Sequence, residues 1–253
     1  MSPGNADSRE YLSDTTVFVT TIGDETNFQD CLEKLRAQTV RFPLVIIDRV
    51  APMAAAFQQM LDQCQTKWYV QVDEDMILYP HAIAELRRKI TAAAPEVVIY
   101  CAPLWDCDAE MHLYGVKIYR TAVVRRFPYA NTMSCETDQV TRLTAQGFKV
   151  EVHTLEDPAG CLGEHGKHYT PATIFKRWQR LFQKNRALHK NHWVRPYAKS
   201  LLERYARTGS TLHLYAALGA IAGITGELPP DRELDFRKEN EVLERLMTFF
   251  PLD

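Results

Sequence analysis

Strands that alternate with helices from residue 16 to residue 153 predict an α/β protein built on a layered sheet. Three observations carry this. Short runs of β-branched and aromatic residues, Thr16–Thr21, Leu44–Ile47 and Trp68–Val72, end at polar or breaker residues. The segments between them repeat apolar residues at i, i+3, i+4 and i+7. The composition is that of an ordinary folded chain: 253 residues, 46% hydrophobic and 25% charged, with 11 Gly and 13 Pro, which excludes low-complexity and collagen-like classes.

The elements follow in order. Thr16–Thr21 is the first strand, broken by Gly23. In the first helix, Asn27–Gln38, Phe28, Cys31, Leu32 and Leu35 form one face, and Thr26 or Asn27 is placed to cap it. Strand two, Pro43–Val50, holds the continuous run Leu44-Val45-Ile46-Ile47 and is expected to be buried on both faces. A helix over Pro52–Gln65 leads to strand three, Trp68–Val72, which stops at Asp73-Glu74-Asp75. Pro80 opens the next helix, with Ile83, Leu86 and Ile90 on one side. Glu96–Ala102, Val116–Tyr119 and Phe148–His153 are the remaining strands, and a helix over Glu136–Gln146 is closed by Gly147.

Beyond Thr170-Pro171, an N-cap and N1 pair, Ile174, Phe175, Trp178, Leu181 and Phe182 define a helix whose other face carries Lys176, Arg177, Arg180 and Lys184. Residues 208–226 carry no formal charge but hold four Gly and four Ala, a poor membrane span and a good buried or interfacial helix. Three segments result: a disordered leader over 1–15, an α/β domain over 16–170 and a helical C-terminal extension over 171–253.

Net charge is −2, too small to attract nucleic acid, but it is segregated. Residues 176–207 hold ten Lys or Arg and one acid, Glu203, and the rest of the chain is acidic. This block is expected to meet an anionic surface or to pair with Glu227, Asp231, Glu233 and Asp235. The six cysteines lack metal-ligand or redox spacing and read as free thiols. The polar first fifteen residues lack the apolar core of a signal peptide, so the expected location is the cytoplasm, with peripheral contact at the inner face of the membrane.

Asp73-Glu74-Asp75 falls at the carboxyl end of a strand, where open α/β sheets bind ligands; taken alone it is either a solvated acidic turn or a pair of carboxylates two residues apart that can share Mg²⁺ or Mn²⁺. Glu136 begins a helix that Ser134 can cap, where the dipole keeps a carboxylate ionised: read alone it is an N-terminal acid that stabilises the helix, and the same feature suits a general base, with Asp138 the second candidate.

The motifs also occur in a known order. A first strand ends at Thr20-Thr21, a first helix ends in Leu35-Arg36-Ala37-Gln38-Thr39, a second strand ends in Asp48, and Tyr69-Val70-Gln71-Val72-Asp73-Glu74-Asp75-Met76-Ile77-Leu78-Tyr79-Pro80 follows. Gly115–Arg120 and Glu136–Phe148 come later. Over residues 16–184 this set resembles the inverting glycosyltransferases of family 2, which have the GT-A fold: a Rossmann-like, mixed, mainly parallel sheet flanked by helices. The resemblance implies a metal-dependent transferase moving a sugar from a nucleotide-diphosphate sugar, a UDP sugar first, to a hydroxyl of a glycan or lipid-linked acceptor.

It further implies that Thr20, Asp48, Asp73 and Glu74 meet the donor and that Glu136 occupies the catalytic acid's place, with Cys135 replacing the acid that usually precedes it. Asp73 and Asp75 are the implied metal ligands together with a downstream His. In Gly163-Glu164-His165-Gly166-Lys167-His168 that residue is His165 or His168, the former favoured because flanking glycines let its loop come close. Trp105 could stack on a sugar face. The alternatives are a sugar-phosphate nucleotidyltransferase, which needs a Gly-rich basic loop where this chain has Thr21-Ile22-Gly23-Asp24-Glu25, and a non-catalytic interaction module.

Overall fold

The computed structural model describes residues 8–23, 25–188, 191–227 and 240–249. The chain divides into two compact units, the first ending at His168 and the second beginning at Tyr169, with Asn131–Ser134 belonging to the second.

In the first unit, β1 (Thr15–Thr21) is followed by α1 (Glu25–Arg36), β2 (Leu44–Asp48), α2 (Met53–Gln63), β3 (Trp68–Asp73), β4 (Met76–Leu78) and α3 (Ala82–Ala92). Next come β5 (Val97–Asp106), β6 (Met111–Arg120), the single turn α4 (Thr121–Val124), α5 (Cys135–Ala145), β7 (Lys149–Val152) and β8 (Gly163–His165). The strands form one sheet ordered β2-β1-β3-β6-β5-β8-β4, with β7 also on β5. β1 pairs in parallel with β2 and β3, β6 runs antiparallel to β3 and β5, and β7 and β8 run parallel to β5. The sheet is therefore mixed and mainly parallel.

Alternation along the strands gives the sheet two apolar faces. Val17, Val19, Trp68, Val70, Val72, Val116 and Ile118 pack with α1 and α3 through Leu32, Leu35, Ile83, Leu86 and Ile90. Phe18, Ile47, Tyr69, Ile99 and Tyr119 pack with α2 and α5 through Phe57, Met60, Leu61, Cys135 and Leu143. Tyr69 and Tyr119, opposite one another across β3 and β6, stack at 4.5 Å with an interplanar angle of 3°. Arg120 closes the C-terminus of α3 by donating to the carbonyls of Ile90, Ala93, Ala94 and Val97, with its guanidinium 4.7 Å from the Trp68 ring.

Several elements differ from the sequence reading. β2 is an edge strand with Ile46 43% exposed; a continuous apolar run does not distinguish an edge from a central position. β4 was not expected, and α3 starts at Ala82, after the strand and its turn. β5 and β6 reach Asp106 and Met111 as a long hairpin, with a register shift between Cys101 and Pro103. The segment read as a leader through residue 15 lies outside the described residues over 1–7. From there it follows the sheet edge: Tyr11 bridges Arg41, and Arg9 donates to the carbonyls of Arg36 and Gln38 at 2.7 Å each, closing α1.

Asp14, just before β1, takes a two-pronged hydrogen bond from Arg87 of α3, one arm 3.0 Å long. That bond holds the Asp14 carboxyl below its ordinary value. A depressed carboxylate stabilises the fold above its ordinary pKa and ceases to do so as pH falls through the depressed one. Asp14→Asn should thus cost about 1 kcal/mol at pH 7, a figure reduced for solvent screening. In urea melts the difference should shrink below pH 4; a constant gap down to pH 3 would assign the loss to something other than this ion pair.

The second unit contains α6 (Pro171–Ala187), α7 (Asn191–Thr208), α8 (Thr211–Thr225) and α9 (Glu241–Phe249). Thr170 caps α6 through the Thr173 N–H, with Pro171 at N1. Its apolar face buries Ile174, Phe175, Trp178 and Phe182. The glycines of α8 explain its composition: a Cβ at Gly219 would stand 2.4 Å from the Phe175 carbonyl oxygen and one at Gly223 2.5 Å from that of Gln179. Two helix backbones thus touch along a four-residue spacing. Arg186 donates to the carbonyls of Gly223 and Gly226 at 2.8 and 2.9 Å, so one cation of the basic block serves the fold itself. No helix among the described residues is long and apolar enough to cross a membrane.

Candidate functional site

The carboxyl ends of β2, β1 and β3 bring together residues far apart in sequence. Register places Asp48 beside Thr21 and Thr20 beside Asp73. The Thr20 hydroxyl donates to Asp73 Oδ1 at 2.6 Å. Burial and the Asp75 carboxylate push Asp73 up to about 6, against the effect of that hydrogen bond. Asp48 is exposed and lies 3.7 Å from the Arg49 guanidinium.

Glu74 takes a different place from the one expected of it. It is 7% exposed and accepts from the Thr21 hydroxyl and from the Ile22 N–H at 3.2 Å. Its own N–H donates to the Thr20 carbonyl at 3.0 Å, so Glu74 fastens the end of β1 to the end of β3.

The short strand β4 runs against β8, setting Met76 opposite His165. This ladder needs Gly163, where a Cβ would stand 2.5 Å from the Ile77 carbonyl oxygen. The loop then turns at Gly166 with φ 71°, and the Gly166 N–H donates to the Asp75 carbonyl at 3.0 Å. His165 Nε2 consequently lies 3.5 Å from Asp75 Oδ2. Its Nδ1 is 2.9 Å from Asp106 Oδ2, a fully buried carboxylate that fixes the ring's orientation. His168 goes elsewhere, its Nε2 2.9 Å from Asp30 of α1.

No three His, Cys, Asp or Glu side chains among the described residues converge as a ready metal cage. A carboxylate and an imidazole do meet at this site, those of Asp75 and His165, with Asp73 nearby on β3. That fits a Mg²⁺ or Mn²⁺ ion completed by substrate phosphates and water, which is how such ions are commonly held.

On the α2/α5 side of the sheet, Lys117 of β6 donates to Glu136 Oε1 at 2.6 Å. Burial alone would push the Lys117 ammonium down; Glu136 and the neighbouring groups outweigh it and hold the pKa above the ordinary lysine value. The Gln71 side-chain amide, which accepts from the Tyr119 hydroxyl at 2.9 Å, stands 3.5 Å from the same Glu136 oxygen. The charges of Glu136 and Lys117 both act on Asp73, so the two clusters share one electrostatic environment. Asp138 instead faces Arg142, which grips its Oδ2 at 2.9 and 2.7 Å.

Among solved structures the chain is similar to the mannosyltransferase PcManGT from Pyrobaculum calidifontis in complex with GDP-Man and Mn²⁺. The identity is 13%, the match covers 95% of this chain and 80% of that one, and the TM-score is 0.52. The chain has a GT-A fold. Within that GT-A sheet, the edge carrying Asp48, Thr20 and Asp73 is the carboxyl end of its parallel strands. Similarity extends to S. aureus TarS 1–349 with UDP, at 12% identity over 68% of this chain and 65% of that one, with a TM-score of 0.44. It also extends to 4-diphosphocytidyl-2C-methyl-D-erythritol synthase from Anaerococcus prevotii, at 7% identity over 59% and 92%, with a TM-score of 0.41. No family model matches the chain, and no curated protein does.

Three residues of the site were not singled out in the sequence: Asp106, Lys117 and Gln71. A lysine inside Gly115-Val116-Lys117-Ile118-Tyr119 looks like an outward-facing strand residue. The available signal was that Lys117 shares strand parity with Tyr119, which packs inward. Trp105, 36% exposed, packs edge-on against His112 at 5.2 Å.

Proposed function

We propose that this protein is an inverting glycosyltransferase that takes a nucleotide-diphosphate sugar, of the UDP type, and transfers the sugar to an acceptor hydroxyl. The observation that carries the reading is the Asp75–His165 pair, assembled by β4 and β8 next to Asp73 at the carboxyl end of the parallel strands. Asp48 and Thr20 would hold the base and ribose, and Asp73 the ribose or the metal. Asp75 and His165 would hold Mn²⁺ or Mg²⁺, whose charge supports the departing diphosphate.

Glu136 accepts the proton of the acceptor hydroxyl as that oxygen bonds to the anomeric carbon and the bond to the nucleotide diphosphate breaks. The Lys117 ammonium keeps the Glu136 carboxylate charged and in place between turnovers. Asp138 is paired with Arg142 much as Glu136 is with Lys117; Glu136 is preferred because its charge reaches Asp73. The test is a thermal-shift screen of UDP, GDP and dTDP sugars with and without Mn²⁺. At a hundredfold excess over Kd a donor should add about 2.7 kcal/mol of stability. A chain that no nucleotide sugar stabilises in either condition is not this enzyme.

The basic block is proposed to rest on an anionic leaflet from the cytoplasmic side. Of the acids expected to pair with it, Glu227 is exposed and accepts from the Gln183 amide through its backbone carbonyl, and Asp231, Glu233 and Asp235 lie outside the described residues; within the block Glu203 pairs with Lys199 at 3.3 Å. At about 1 kcal/mol per cation near such a surface, three suffice for measurable attachment. Flotation with anionic but not neutral vesicles, lost in high salt, is the expected result; absence from both would leave the pairing within the chain as the explanation.

A further inference from the structure

Beside the Lys117–Glu136 pair the first unit has an open-sided cavity of about 180 Å³ between α5 and the β6-β5-β7 part of the sheet. Its walls are mainly apolar, Ile99 of β5, Val150 and Val152 of β7 and Val140 of α5, with Tyr119 and Gln139 also lining it and Tyr114 exposed at the side. Tyr114 and Val152 are 48% and 47% exposed, so the cavity opens to solvent on that side. Cys101 also lines it, but burial pushes its thiol up to about 11, so it offers a neutral sulfur and not a thiolate.

We infer that this cavity binds a single apolar ring bearing a neutral hydroxyl, with the ring between α5 and β7 and the hydroxyl on Lys117 and Glu136. Size sets the first limit, because an apolar cavity of roughly 150 Å³ holds a benzene ring. Polarity sets the second. A hydroxyl both donates and accepts, so it can give its proton to a Glu136 oxygen and take one of the three N–H donors of Lys117. A carboxylate would face Glu136 and an ammonium would face Lys117, each desolvated beside a like charge. A pyranose ring fits by volume, yet its several hydroxyls would meet valines on most sides and lose their water without a partner.

The inference rests on the transferase reading in one respect: there the ring is the acceptor, its hydroxyl set against the proposed base. It puts a hydroxylated aromatic or alicyclic acceptor in place of the glycan or lipid-linked one implied by resemblance. The binding itself needs neither donor nor metal, so it is tested alone.

The whole chain, without nucleotide or metal, is titrated with 4-methylphenol by calorimetry and by saturation-transfer NMR. Toluene, benzoate, benzylamine and methyl glucoside serve as comparators. Saturable binding of 4-methylphenol, with every comparator at least about tenfold weaker, is expected, because a site built around a hydroxyl rejects analogues lacking it. Val152→Trp and Val140→Trp, which fill the cavity from opposite walls, should each weaken 4-methylphenol by about tenfold or more. No saturable binding to the unaltered chain, any of the four comparators binding as well as 4-methylphenol, or full affinity in both folded Trp variants would each overturn the inference. Binding of 4-methylphenol by a chain that no nucleotide sugar stabilises would keep the cavity and remove the transferase reading; the reverse result would remove only the cavity.

Discussion

Glu136→Gln is expected to leave nucleotide affinity unchanged and to lower sugar transfer by about 10²–10⁴-fold, the range a general base supplies. The amide matches the carboxylate in shape and can still accept from Lys117, whose Nζ lies 2.6 Å from Oε1, so folding should survive. What it cannot do is take up a proton from the acceptor. Donor binding by thermal shift and transfer by release of the nucleotide diphosphate separate the two effects. Near-normal transfer in this variant, joined to an inactive Asp138→Asn, would move the proton acceptor to Asp138 despite its grip by Arg142.

Asp75→Ala should remove the Mn²⁺-dependent part of nucleotide binding entirely. Of the proposed Asp75–His165 pair Asp75 is the anionic member, and without it the ion would depend on an imidazole, phosphate, water and whatever Asp73 could offer. The stabilisation gained from nucleotide sugar with Mn²⁺ should then fall to its metal-free level. His165→Ala should lower it less, because the carboxylate remains. Asp106→Asn should fall between wild type and His165→Ala, since the buried carboxylate 2.9 Å from Nδ1 orients the ring without touching the ion. Mn²⁺-dependent affinity that survives Asp75→Ala unchanged would refute the metal assignment, whereas a harmful His168→Ala with a silent His165→Ala would move the second ligand to His168.

The sheet was legible because its central strands satisfy a local rule. Val17-Phe18-Val19 and Val70-Gln71-Val72 lie on strands buried on both faces, and such runs declare themselves within a few residues. Met76-Ile77-Leu78 obeys no local rule. Three residues carry no period, and they become a strand only because Gly163-Glu164-His165 arrives from much later in the chain. The same distance hid the site's fine structure. Asp73 and Asp75 stand out at a strand end, but nothing in the sequence around Gly163 shows that the missing Cβ serves a backbone contact with Ile77. Lys117 and Glu136 belong to a strand and a helix whose facing depends on how α5 lies on the sheet, a tertiary fact that neither segment records on its own.

The β4–β8 ladder also sets an order of assembly in time. Because β8 is the last strand of its unit, a chain growing from its N-terminus can complete β2-β1-β3, with Asp48, Thr20 and Asp73 in register, while His165 has yet to be synthesised. The Asp75–His165 contact closes a loop of 90 residues, so it carries a larger closure entropy than the local pairings of β1, β2 and β3. A nascent or truncated product stopping short of Gly163 would therefore present the Asp48, Thr20 and Asp73 edge without His165 beside Asp75. It would also leave the backbone of β4 open along the edge that β8 covers, an unpaired strand of the kind that leads partly made chains to associate.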